Sequence, residues 1–395
     1  MIKLVSDTID RQDINALVEW LQQDPIPRLT KGELTSQLEE AWAKKIGTKY
    51  SVFVNSGSSA ILLALAALKE SEQLTLAALK ESGRLKNNKI VVPALSWATD
   101  VSSPMLLGMD TIMCDCNLKD LSCDLIKLES IFKQENPAVL ILVSPLGLVP
   151  RMKDILQLCE QYDVLLLEDV CESMGSKYNN KYLGSFGFAS FFSMYFGHHL
   201  STIEGGFINT NDEDFYHMLL MMRSHGWDRD LPKWKQDKLR KEYNCTEFDA
   251  LYNFYVPGFN LRATDLQAFI GLRAIKKLDG YVLKRTNNFN YYLDLITNNK
   301  LQLSNYTYNT ISNFAMPIVH KDRNKIVRDL IDANIEVRPL IAGNMASKPM
   351  WVKKYVQPKL SNAELLEQQG FYIPNHQDLS LPDISKITKI VNQYE

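Results

Sequence analysis

Short apolar runs alternate with amphipathic stretches through the first two-thirds of the chain. The runs at 50–54, 89–92, 139–143 and 164–167 are rich in Val, Ile and Leu and lack polar/apolar alternation. Segments apolar on both faces suit a mostly parallel sheet, and the amphipathic stretches at 123–134 and 152–161 supply helices to cover it. In such an α/β architecture, ligands bind in loops at the carboxyl ends of the strands. Residues 230–236 turn polar and aromatic-rich, as in an ordered substrate loop or a plain connector, and a helix is expected again over 262–279. A second pattern begins near residue 300: strand-like 313–319, a helix near 322–333 and strand-like 335–338. It predicts a small α+β domain at 281–395 beside a large domain at 1–280. Leu63–Ser71 recurs almost unchanged as Leu74–Ser82. A shift of 11 residues, close to three helical turns, predicts one lengthened helix rather than a solenoid.

Composition narrows the function classes. The 395 residues are 46% hydrophobic and 23% charged with a formal net charge of -2, which gives no basis for nucleic acid or an anionic membrane as partner. No run reaches the roughly 18 apolar residues of a membrane span, and the N-terminus has no long apolar h-region, so a cytoplasmic protein is expected. Six cysteines are too few for a disulfide scaffold and read as buried free thiols; no metal site is expected.

Candidate chemistry sits after the strands. Asn55-Ser56-Gly57-Ser58-Ser59 follows 50–54 and opens a helix, where small residues and N–H groups suit a phosphate, although Ser58 also suits a helix N-cap. Glu168-Asp169 ends the run 164–167; Asp169 suits a partner for a pyridine nitrogen or a turn cap, and Glu172 comes within reach if the following residues turn helically. Trp97 follows another strand and is suited to stacking on an aromatic ring or to ordinary packing. Downstream, Ser193-Met194-Tyr195-Phe196-Gly197-His198-His199 runs on to Glu204-Gly205-Gly206, and no lysine occurs between Tyr182 and Pro232. Imidazole moves protons but does not condense with an aldehyde. If the loop is a strand, adjacent histidines face opposite ways, and only one meets a ligand.

Taken in order, Ser56-Gly57-Ser58-Ser59, Trp97, Glu168-Asp169, Ser193 and Glu204-Gly205-Gly206 resemble the DegT/DnrJ/EryC1/StrS sugar aminotransferase family, from about Leu34 to the C-terminus. That resemblance implies a fold-type I pyridoxal-phosphate enzyme with a mostly parallel seven-stranded sheet and a smaller α+β C-terminal domain. The family's cofactor-bonding lysine stands six residues before the Glu-Gly-Gly glutamate; here that residue is His198. Histidine there marks a subgroup of 3-dehydratases of nucleotide-linked 4-keto-6-deoxyhexoses, resembled further through Ser224–Pro232, Arg338-Pro339 and Asn375-His376-Gln377, with the GDP-sugar branch nearest. A related CDP-sugar branch carries an iron-sulfur cluster, for which Cys171 and Cys245 beyond Asp169 are too few. The 11-residue duplication and Ser144–Pro150 depart from the GDP-sugar pattern.

By this resemblance, pyridoxamine phosphate, made from pyridoxal phosphate and L-glutamate, supplies the amine, His198 moves the proton, and water releases ammonia and a 3-deoxy-4-keto sugar in deoxysugar and O-antigen biosynthesis. Gly57, Ser58 and Ser193 hold the phosphate, helped by Asn260 from the second subunit of a homodimer. Trp97 stacks on the ring, Asp169 meets its nitrogen and Glu172 its hydroxyl, while His225, Arg229 and Arg338 meet substrate. The competing expectations are an aminotransferase using a lysine from elsewhere and a non-catalytic sugar-binding relative.

Overall fold

The computed structural model describes residues 1–73, 85–301, 303 and 309–394. Seven strands build the main sheet: β1 (Tyr50–Val54), β2 (Lys89–Pro93), β3 (Asp110–Cys114), β4 (Val139–Val143), β5 (Leu165–Asp169), β6 (Ala189–Ser193) and β7 (Gly206–Thr210). Their spatial order is β1-β7-β6-β5-β4-β2-β3, parallel except where β7 runs against β6 and β1. Every residue of β4, β6 and β7 is buried, which is why the apolar runs show no alternation. Helices Leu125–Glu135 and Met152–Gln161 form where the amphipathic stretches predict them. The register decides where chemistry collects: Ser193 pairs with Gly206, Gly206 with Val54, and Asp169 with Phe191. The ends of β1, β5 and β6 therefore meet at one edge of the sheet.

The C-terminal part adds a three-stranded antiparallel sheet, β8 (Ala315–Val319), β10 (Gly370–Pro374) and β9 (Arg338–Pro339), in the order β8-β10-β9. Helix Leu278–Leu295 runs across residue 280. The first residues return to this part: Ile2 bridges to Ile335, and the Leu4 N–H donates to Glu336.

Three expectations change. Residues 233–242 form a helix after Pro232 instead of a loop, with Lys235 buried against Asp214 and His217 of helix Glu213–Arg223. The expected strand 335–338 shrinks to Arg338–Pro339. The helix expected over 262–279 divides into Asp265–Ala274, a short 3-10 turn and the start of Leu278–Leu295. The first copy of the repeat lies in helix Gly57–Gln73; the second, 74–82, lies outside the described residues.

Candidate active site

The first corner of the site is a close approach of three backbones. A Cβ placed on Gly57 would stand 2.8 Å from Ser193 Cβ, and one on Gly206 2.4 Å from the Ser56 carbonyl carbon. Glycine at both positions lets the ends of β6 and β7 close on the N-terminus of helix Gly57–Gln73, with the buried Ser193 beside it. Small residues, a hydroxyl and a helix N-terminus converge there, a donor set suited to a phosphate. The helix cap is not Ser58: the Ser56 hydroxyl accepts the Ser59 N–H at 3.0 Å, while Ser58 Oγ pairs with Thr99 Oγ1 at 2.9 Å. Ser58 is thereby tied to the segment that follows β2.

Trp97 begins that segment. It is 57% exposed and precedes helix Ala98–Leu106, whose Asp100 accepts the Trp97 N–H at 3.3 Å. A large ring exposed at the carboxyl edge of the sheet is free to stack on a flat ligand. Asp169 lies 5% exposed at the end of β5, where its Oδ1 accepts the Cys171 N–H at 2.9 Å. Glu172 follows in a turn and accepts the Leu146 N–H at 3.1 Å.

Burial raises Glu172 from 4.5 to about 7, with Leu146 opposing and the Asp169 charge adding to the rise. A carboxyl whose folded pKa lies above its unfolded value stabilises fully below 4.5 and loses that contribution as pH rises to about 7. Glu172→Gln, which does not titrate, is expected to gain on the wild type across that window, reaching about 2 kcal/mol at pH 8 after discounting solvent screening at a half-buried group. Urea unfolding at pH 5 and pH 8 checks this; the same stability difference at both pH values refutes it.

The histidines lie in the loop between β6 and β7, which is turns and bends, not strand. Strand alternation therefore does not separate them; burial does. His199 is fully buried, and its Nε2 meets the Ser312 carbonyl at 2.8 Å. His198 is partly exposed, stands 5.5 Å from the Phe314 ring and 6.1 Å from Tyr195, and its Nδ1, like that of His199, has no hydrogen-bond partner among the described residues. Burial, then the Arg285 charge, lowers its pKa from 6.5 to about 4. In the free protein this imidazole is thus a weaker base than an ordinary histidine, and an anion bound nearby would raise it.

Three further residues gather on another face. The Arg229 guanidinium lies 3.8 Å from the Trp227 ring centroid, His225 stands 5.1 Å from the same ring, and Ser224 bridges to Asn260. Asn260 is exposed and accepts Arg262 Nε at 3.0 Å; a Val54–Arg262 bridge ties this face to the end of β1. Beside it, Arg28, Lys31, Trp227, Arg229, Asp230 and Arg262 help line a cavity of about 230 Å³. Arg338 is exposed on β9 and, with Glu172, acts electrostatically on the partly buried Tyr372 phenol. Sequence reasoning missed Asp100, Arg285, Phe314 and Tyr372. Only Asp100 carried a local signal, as an acid in the first turn of a helix directly after Trp97.

Residues 7–392 match the DegT/DnrJ/EryC1/StrS aminotransferase family. The chain is 32% identical to the GDP-4-keto-6-deoxy-D-mannose 3-dehydratase of Yersinia pseudotuberculosis, over 95% of each chain. It is 33% identical to the protein of that name from Escherichia coli O55:H7, over 98% of each. A crystal structure of GDP-4-keto-6-deoxymannose-3-dehydratase with a trapped PLP-glutamate geminal diamine superposes with a TM-score of 0.88 at 31% identity, covering 99% of this chain and 100% of that one. With the family matched from end to end and relatives above 30% identity over nearly the full length, this chain is a member of the DegT/DnrJ/EryC1/StrS aminotransferase family.

Proposed function

We propose that this protein is a pyridoxal-phosphate and pyridoxamine-phosphate-dependent 3-dehydratase of a nucleotide-linked 4-keto-6-deoxyhexose, GDP-4-keto-6-deoxy-D-mannose first, with L-glutamate as amino donor. One observation carries the reading: His198, not lysine, stands six residues before Glu204. When bound, the cofactor supplies the amine that meets the sugar's C4 ketone and the ring that takes up electrons.

This chain's residues do the rest. Gly57, Ser58 and Ser193 hold the phosphate, Trp97 covers the ring, Asp169 faces its nitrogen and Glu172 its hydroxyl. His198 accepts a proton on its neutral imidazole and delivers it to the departing C3 hydroxyl oxygen. Without a lysine amine to compete, water releases the nitrogen as ammonia. His225, Arg229 and Arg338 bind substrate, and Asn260 reaches the phosphate of a neighbouring subunit in a cytoplasmic homodimer. The exposure of Asn260 and Arg229 beside a cationic cavity supports that arrangement. The reading includes a large domain at 1–280, a small one at 281–395, and a place in deoxysugar and O-antigen biosynthesis.

Purified protein with pyridoxal phosphate, L-glutamate and a panel of GDP-, CDP- and dTDP-4-keto-6-deoxyhexoses is expected to release ammonia and lower the sugar's mass by one oxygen on the GDP substrate. An aminated sugar, or no turnover of any member, overturns the assignment.

A further inference from the structure

Asp100 is fully buried, and its carboxyl lies beside that of Asp169, close enough for the two to interact. Two carboxylates this close, both out of water, repel unless a proton lies between them. The donors around them are unequal. Asp169 receives the Cys171 N–H at 2.9 Å and lies beside the Cys171 thiol, whereas among the described residues Asp100 receives only the Trp97 N–H at 3.3 Å, on Oδ2. Asp100 Oδ1 has no hydrogen-bond partner among the described residues. An oxygen that is buried, orphaned and part of a carboxyl beside another carboxyl is accounted for once it carries the proton itself.

We propose that Asp100 is a positioning residue that stays protonated at neutral pH and donates a hydrogen bond to Asp169, holding Asp169 as the anion and fixing its orientation. Burial raises both carboxyls; it pushes Asp100 well up, with the Asp169 and Glu172 charges adding, whereas Cys171 and Asp100 hold Asp169 down against it. The groups facing the pair are Cys171 and Glu172 beyond β5 and the Trp97 backbone on the helix side. The proposal rests on the reading that Asp169 faces the cofactor's ring nitrogen. Asp100 then acts through Asp169: a fixed anion keeps the ring nitrogen protonated, and the same helix start carries Trp97, so ring stacking and ring charge are set by one element.

Infrared difference spectra of the protein with pyridoxal phosphate bound, wild type minus Asp100→Asn at pH 7, test it directly. The carbonyl band of a buried carboxylic acid is expected to disappear in Asp100→Asn and to persist in Asp169→Asn. A band that persists in the first and vanishes in the second puts the proton on Asp169 and overturns the proposal, as does a null difference for both. Asp100→Asn retains an N–H donor and should leave the bound cofactor's absorption and its pH dependence near wild type. Asp100→Ala should shift that pH dependence and cut turnover roughly tenfold; an unshifted pH dependence in Asp100→Ala also overturns the proposal. The Asp169 reading fails separately: Asp169→Asn would then leave the cofactor's absorption unchanged, while the infrared assignment of the Asp100 proton is read without it.

Discussion

His198→Asn is expected to lower ammonia release from the sugar by about 10²- to 10⁴-fold, the usual loss when a general acid–base group is removed. Asparagine is close in size but accepts no proton at neutral pH, and cofactor binding, followed by absorbance, should survive because the corner proposed for the phosphate, at Gly57 and Ser193, is untouched. His199→Asn gives the contrast. It removes the contact with the Ser312 carbonyl, so it should cost about 1 kcal/mol of stability and leave turnover largely intact. Reversed results, with His199 essential and His198 dispensable, would exchange their roles. The lowered pKa of His198 adds a sign. Its neutral form persists down to about pH 4, so any loss of turnover from protonating it in the free protein should set in near pH 4 rather than 6.5. An acidic limb at 6.5 in kcat/KM would assign that limb to another group.

Replacing Arg223 by Met should cost about 3–5 kcal/mol of unfolding free energy, the range for leaving one member of a buried ion pair alone. Arg223 is fully buried at the end of helix Glu213–Arg223, where it meets Glu39, the Phe53 carbonyl at 2.9 Å and Asp230 at 3.2 Å. Glu39 is 8% exposed and also accepts the Phe53 N–H at 2.7 Å, so the pair ties helix Glu33–Ile46 and helix Glu213–Arg223 to β1. Without the guanidinium, the Glu39 carboxylate keeps no cation among the described residues and is reached by little water. Adding Glu39→Gln should recover part of the loss, since the amide keeps an acceptor for Phe53 without the charge. Denaturant unfolding of the two single variants and the double variant measures the coupling. A single-variant loss under about 1 kcal/mol, or strict additivity, would refute this account.

Much of the fold is legible because it depends on neighbours in sequence. The unalternating runs at 50–54 and 139–143 require a sheet buried on both faces, and the helices at 125–135 and 152–161 follow their own periodicity. The lysine-free loop is equally local, since a residue type at a fixed distance from Glu204 needs no coordinates. Residues 233–242 were not legible: their polar surface hides Lys235, whose burial depends on Asp214 and His217 of the preceding helix.

By itself, then, the sequence determined an α/β chain, the order of its candidate residues and the presence of imidazole where an amine is expected. Tertiary structure alone decided which histidine is free, because His199 is held by Ser312, 113 residues away. It also decided that Asp100 meets Asp169, by bringing the segment after β2 against the end of β5, and that Glu172 lies beside Leu146 rather than in water. The division has a physical cause. Periodicity and spacing act through adjacent residues, whereas proton affinity is set by burial and by charges that only the packed chain brings together.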